Sequence, residues 1–146
     1  VSRHFTLSEA ESLLTQLGAD VREAVRLRSE YREAESELAE FARRVAMLGG
    51  AIVDRNQMLA RRTRRDSAAT GLKEAIESIQ SHGCLVKDLD MGLIDFPTLY
   101  RGEEVYLCWK LDEAGIHFWH GVNEGFRGRK EIDKDFLDNH RGDMPN

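Results

Sequence analysis

The sequence predicts an α+β protein: a long antiparallel helical hairpin, coiled-coil-like in its spacing, followed by a small antiparallel β-sheet of about three strands. Three observations lead there. Residues 7–82 contain no proline and are dominated by Ala, Leu, Glu and Arg. Within them, apolar residues recur at steps of three and four, the spacing that gathers one face of an α-helix. From Gly83 onward the composition changes, with both prolines, both tryptophans, two of the three tyrosines and four of the six phenylalanines.

The first helix begins at a capping box. Thr6 is the N-cap, Glu9 sits at the third helical position, and Phe5 stands where a hydrophobic staple belongs. The stripe then runs Leu7, Ala10, Leu14, Leu17, Val21, Ala24, Leu27, Tyr31, Ala34, Leu38, Phe41, Val45 and Leu48. Strict heptads would place Arg28 and Glu35 in the seam; the stripe slips back by one residue, as a nearly straight helix of 3.6 residues per turn requires. Gly49-Gly50 marks a break. A second helix is expected from Ala51 to about Ser81, with a sparser stripe of Ile52, Val53, Leu59, Leu72, Ala75, Ile76 and Ile79. Arg61-Arg62-Thr63-Arg64-Arg65-Asp66-Ser67 carries no apolar stripe and reads as frayed or kinked, with the basic run Arg61–Arg65 as a solvated helix face. His82-Gly83 supplies a C-terminal stop.

Three strands are expected: Cys84–Asp88, Glu104–Lys110 and Gly115–His120. The second is the strongest, and alternation places Val105, Leu107 and Trp109 on one face and Tyr106, Cys108 and Lys110 on the other. The chain reads as one domain over residues 1–132, the hairpin spanning 5–82 and the sheet 83–132. Residues 133–146 read as a flexible acidic tail. A two-helix hairpin buries a single seam, so a homodimer through the helices, or docking of the second half onto them, is expected.

Composition narrows the function classes. At 146 residues with 41% hydrophobic and 32% charged content, the chain can bury a core and is not disordered. Two cysteines cannot build a disulfide scaffold or a four-cysteine zinc site; Cys84 and Cys108 read as free thiols in a reducing cytoplasm. No apolar run approaches the ~18–20 residues of a membrane span, and Val1–Phe5 lacks the apolar stretch of a signal peptide. A net charge of −5 argues against general polyanion binding, so nucleic acid is not an expected partner.

Three motifs in order resemble a bacterial family known as domain of unknown function 2203. They are Val86-Lys87-Asp88-Leu89-Asp90-Met91-Gly92-Leu93-Ile94-Asp95-Phe96-Pro97, then Val105-Tyr106-Leu107-Cys108-Trp109-Lys110-Leu111, then Trp119-His120-Gly121-Val122-Asn123-Glu124-Gly125-Phe126-Arg127-Gly128-Arg129. The opening Phe5-Thr6-Leu7-Ser8-Glu9-Ala10 fits as well. The resemblance covers about residues 4–132. It implies a bacterial, cytoplasmic protein and carries no activity with it.

The residues themselves offer several candidate sites. His120 and Glu124, four apart, could join Asp95 as a nitrogen-and-carboxylate metal site, with the blander alternative that they only pair with neighbouring charges. Arg127 and Arg129, among glycines that permit a close backbone approach, are candidate anion ligands. Tyr106, Trp109 and Trp119 could line a pocket, or simply fill the core of a small sheet. Asp88, Asp90 and Asp95 around Gly92 read chiefly as turn caps, and Phe96-Pro97 as the end of a strand. Cys108 reads as a buried structural thiol; as a nucleophile its only attractive base is His120. No cofactor is firmly implied beyond a divalent metal ion.

The leading functional reading from sequence is a noncatalytic, dimeric interaction or scaffold protein with an unidentified protein partner. The alternative is a metal- or anion-binding module, a hydrolytic enzyme included, built on Asp95, His120, Glu124, Arg127 and Arg129. Convergence of those side chains in one concave site would favour the alternative.

Overall fold

A computed structural model describes residues 3–49 and 54–144. The predicted capping box forms: Glu9 N donates to Thr6 Oγ1 at 3.1 Å and Thr6 N to Glu9 Oε1 at 2.9 Å, while Phe5 is fully buried. The expected single first helix is interrupted at Leu13. A short α1 (Leu7–Ser12) leads into α2 (Leu14–Met47), whose 34 residues span about 51 Å. Ala10, Leu17, Val21, Ala24, Ala34, Leu38 and Phe41 of the stripe are the buried residues.

The second helix, α3 (Arg55–Gln80), is capped by Asp54, whose Oδ1 accepts from Asn56 N and Gln57 N. Gly49 takes a left-handed φ of 68° at the end of α2. Gly50, and Ile52 and Val53 of the expected stripe, lie outside the described residues. The two helices run in opposite directions. Arg61 stacks on the Phe41 ring at 4.2 Å, Arg64 reaches Glu37 at 2.5 Å, and Gly71 lies against Leu27. The basic run, expected to fray, is therefore continuous helix: acids and an aromatic ring of α2 hold it where apolar residues do not. No helix among the described residues is long and apolar enough to cross a membrane.

The sheet is larger than the three strands expected. Among the described residues it holds six, antiparallel: β1 (Leu85–Asp88), β2 (Leu93–Tyr100), β3 (Glu103–Lys110), β4 (Phe118–Gly121), β5 (Lys130–Glu131) and β6 (His140–Arg141). The order is β1-β2-β3-β4-β5, with β6 beside the far end of β2. Of the three strands absent from the sequence reading, β2, β5 and β6, the most consequential is β2, the sheet's best-connected element. Its Asp95 and Pro97 are residue types that argue against a strand. Pro97 fits because β1 pairs only as far as Asp95 and β6 begins at Leu99. In that gap no ladder donor is required, and the Pro97 carbonyl instead accepts from Phe5 N at 2.7 Å.

One face of the sheet lies on the helices. Ile94, Phe96, Val105, Leu107 and Trp109 join Phe5, Leu17, Val21 and Ile79 in one core, with Phe5 edge-on to Phe96 at 5.3 Å. Of the residues expected to form a loose tail, the described ones, 133–144, continue the fold. A short α4 (Lys134–Asn139), capped by Asp133, buries Phe136 completely between Tyr100 and Trp119, 4.7 and 5.1 Å away between ring centres. The other face of the sheet turns away from the helices and carries Leu93, Asp95, Cys108 and His120.

Candidate functional site

Strand register brings the key groups together. Asp95 on β2 stands directly opposite Cys108 on β3. Tyr106, two residues back on the same face of β3, stands opposite His120 on β4. Asp95, Cys108 and His120 thus occupy adjacent positions on three neighbouring strands, and one donor atom from each lies within 4.8 Å of the other two. All three residues are at most 2% exposed.

His120 is fixed at both ring nitrogens. Its Nδ1–H donates to the Gly121 carbonyl at 2.8 Å, and Nε2 meets Asp95 Oδ1 at 3.0 Å. Burial disfavours the imidazolium, but hydrogen bonds to Asp95, Cys108 and the Gly121 carbonyl outweigh it and raise the imidazole pKa to about 10. Among the described residues, Asp95 Oδ2 is buried without a hydrogen-bond partner. An orphaned carboxylate oxygen inside a protein is costly, and such an atom takes a water, an ion or another ligand as its partner.

These three residues sit at the floor of a pocket of about 270 Å³, walled by Lys87, Asp88, Met91, Leu93, Glu124, Gly125 and Phe126. Glu124 is held from several sides. Its Oε1 accepts from Gly121 N at 2.8 Å and from Lys130 Nζ at 2.6 Å, and both contacts keep its pKa below the usual carboxylate value. A Cβ on Gly121 or Gly128 would come within 2.9 Å of that carboxylate, so the glycines make room for it. Asp88 caps the β1–β2 turn, its Oδ1 accepting from Asp90 N and Met91 N, as the sequence suggested. Asp90 serves elsewhere, bridging Arg28 and Arg32 of α2.

Of the residues singled out from sequence, Asp95, His120 and Glu124 do share one pocket, with Glu124 on its wall rather than at the three-atom cluster. Arg129 does not face the pocket as a free cation. Its guanidinium binds both oxygens of Glu113 at 2.8 and 2.9 Å and stacks on Phe118 and Phe126, with its side chain 8% exposed. Arg127 is exposed and lies outside the pocket lining. Tyr106, Trp109 and Trp119 do not line one cavity. Tyr106 lies edge-on to His120, Trp109 is core and donates to the Glu113 carbonyl, and Trp119 packs with Phe136 and Tyr100 on the opposite face.

Cys108 is the residue whose role sequence reasoning missed. Alternation already grouped it with Tyr106 and Lys110 on one face of the strand. Only recognition of β2 would have set Asp95 across from it.

Three donors of different chemistry can hold a metal ion. A tetrahedral ion with ligands at about 2.0–2.3 Å separates donor pairs by about 3.3–3.8 Å. The cluster is close enough for small side-chain rotations to reach that span. The Gly121 carbonyl already fixes His120 with its proton on Nδ1, which leaves Nε2 as the coordinating nitrogen once its own proton departs. Thiolate, imidazole and carboxylate together suit zinc and its neighbours rather than hard cations such as Mg²⁺. The orphaned Asp95 oxygen is the atom such an ion would satisfy.

A family model described as "Uncharacterized conserved protein (DUF2203)" matches residues 3–132. No curated protein and no solved structure matches the chain.

Proposed function

The chain belongs to the family called domain of unknown function 2203, defined by sequence rather than by a reaction, and from its own geometry we propose that it is a transition-metal-binding protein with an open, catalytic-type centre. Asp95, Cys108 and His120 are the ligands. The observation that carries this reading is the partnerless buried Asp95 Oδ2 beside a thiol and an oriented imidazole. The same three residues line a pocket, so a metal ion held by them would be open to a further ligand from that side. Such an ion would supply a water activated near neutral pH, so hydrolysis is the reaction class the site suits.

The test is metal content of gently purified protein by plasma mass spectrometry, together with Co²⁺ substitution. We expect near-stoichiometric metal in the wild type and a thiolate-to-Co²⁺ absorption band. His120→Ala should lose the metal, and Cys108→Ser should lose the band. Wild-type protein that neither carries nor takes up a transition metal would sink the proposal.

A second role has its own support. The far part of the helical pair exposes Met47 (80%), Leu48 (63%) and Leu59 (63%), and an apolar groove runs along Tyr31, Ala69, Leu72 and Ile76. Such surface suits association, with a second copy as a homodimer or with another protein as a scaffold. Light scattering across a dilution series tests the homodimer; monomer at every concentration would remove it. The two buried, unpaired cysteines and the family resemblance support the bacterial cytoplasm as the compartment.

A further inference from the structure

We infer that the open position of this centre takes a small anionic ligand, through a carboxylate or phosphate oxygen, and that Lys87 and Lys110 bind the rest of its charge. The inference rests on the metal reading above. Its own support is the distribution of charge around the pocket. The acidic groups on the pocket wall are engaged: Glu124 by Lys130 and the Gly121 amide, Asp88 by its turn. The lysines are not. Lys87 lines the pocket and holds its ammonium 4.9 Å from the centre of the Tyr106 ring, which itself lies edge-on to His120. Lys110, two residues beyond Cys108 on the same face, holds its ammonium 5.7 Å from the ring of Phe126, another pocket wall. Among the described residues neither ammonium has a carboxylate within ion-pair distance.

Charge counting gives the same answer. A dication with one thiolate, one carboxylate and one neutral imidazole is neutral overall. An anion there would add negative charge to a rim that carries two ammoniums without ion-pair partners, Lys87 in the pocket lining and Lys110 beside Phe126, against one carboxylate, Asp88, that is held only by backbone amides. Aromatic faces under both ammoniums keep them oriented without neutralising them. Met91, Leu93 and Phe126 supply the apolar walls, and about 270 Å³ admits only a small molecule.

The experiment uses the full chain loaded with Co²⁺, titrated separately with inorganic phosphate and with acetate while the visible spectrum is recorded. Saturable change with either anion is expected, and the stronger of the two identifies the headgroup. In Lys87→Met/Lys110→Met the affinity should fall at least roughly tenfold, the loss of one charge-assisted contact. The Co²⁺ content of that variant should stay at the wild-type level. Metal that binds while neither anion perturbs the spectrum overturns this inference and leaves the metal reading standing. An unchanged affinity in the double variant also overturns it. Failure of the wild type to load Co²⁺ removes both readings together.

Discussion

Removing either member of the Asp95–His120 pair should cost far more than removing both. The side chains are 1% and 3% exposed, 3.0 Å apart, and one Asp95 oxygen already lacks a partner. Asp95→Leu leaves His120 with a buried N–H and no acceptor; His120→Leu leaves a buried carboxylate with no donor from the imidazole. Breaking a buried pair in this way costs about 3–5 kcal/mol. With an unfolding entropy of about 2.1 cal/mol/K per residue, a chain of 146 residues has about 0.3 kcal/mol/K. Each single variant should therefore lower Tm by about 10–16 °C. The double variant Asp95→Leu/His120→Leu replaces the pair by apolar side chains beside a pocket with room for them. It should recover to within about 1 kcal/mol of the wild type, roughly 3 °C, because desolvating two charges consumes most of what their attraction supplies. The assay is thermal and urea unfolding of chelator-treated protein, read as a double-mutant cycle with a coupling of about 5 kcal/mol or more. Single variants within about 1 kcal/mol of the wild type would refute the buried pair. A double variant as unstable as the sum of the singles would refute the argument that desolvation consumes most of the pair's attraction.

Other predictions concern pH and packing. Burial raises the Cys84 thiol from an ordinary 9.0 to about 11, so between those values the folded chain holds a proton that the unfolded chain has released, and stability falls as pH rises. His120 acts in the same direction: its contribution is complete below 6.5 and lost as pH rises through about 10. Chelator-treated protein should thus lose stability from about pH 7 to pH 11, and Cys84→Ala should flatten the limb above pH 9; a Tm constant across that range would contradict both assignments. Phe136→Ala should cost about 3–5 kcal/mol by opening a cavity between Tyr100 and Trp119, whereas a shift of under about 3 °C would show that the C-terminal helix is not docked. Gly92 has a φ of +67°, and a Cβ there would lie 2.7 Å from Leu111 Cβ; Gly92→Ala should cost about 1–3 kcal/mol, measured by urea unfolding, and an unaffected midpoint would argue against this turn.

Much of the first half was legible because local rules govern it. Thr6 and Glu9 cap a helix through atoms three residues apart, and the apolar stripe from Ala10 to Phe41 follows the face that α1 and α2 bury. Alternation along Glu104–Lys110 separated Leu107 and Trp109 from Cys108, because a strand reverses its side chains at every residue. Those features depend on neighbours in sequence. The basic run Arg61–Arg65 misled because its partners, Glu37 and Phe41, are twenty or more residues away.

The sequence by itself determined the helical half, the strand β3 with its two faces, and the presence of Asp95, His120 and Glu124 as candidate chemistry. Only the tertiary structure decided that Asp95 lies in a strand, that Cys108 stands across from it, and that Arg129 is tied to Glu113. The physical reason is that β2 carries an aspartate and a proline whose burial makes sense only in company. Asp95 is tolerated because His120 meets it from two strands away, and Pro97 because the chain leaves a gap beside it that Phe5 fills. Phe136 likewise reads as part of a polar tail until Tyr100 and Trp119 surround it. A strand or helix justified by distant partners has no local signature, and the candidate metal centre is built from residues of that kind.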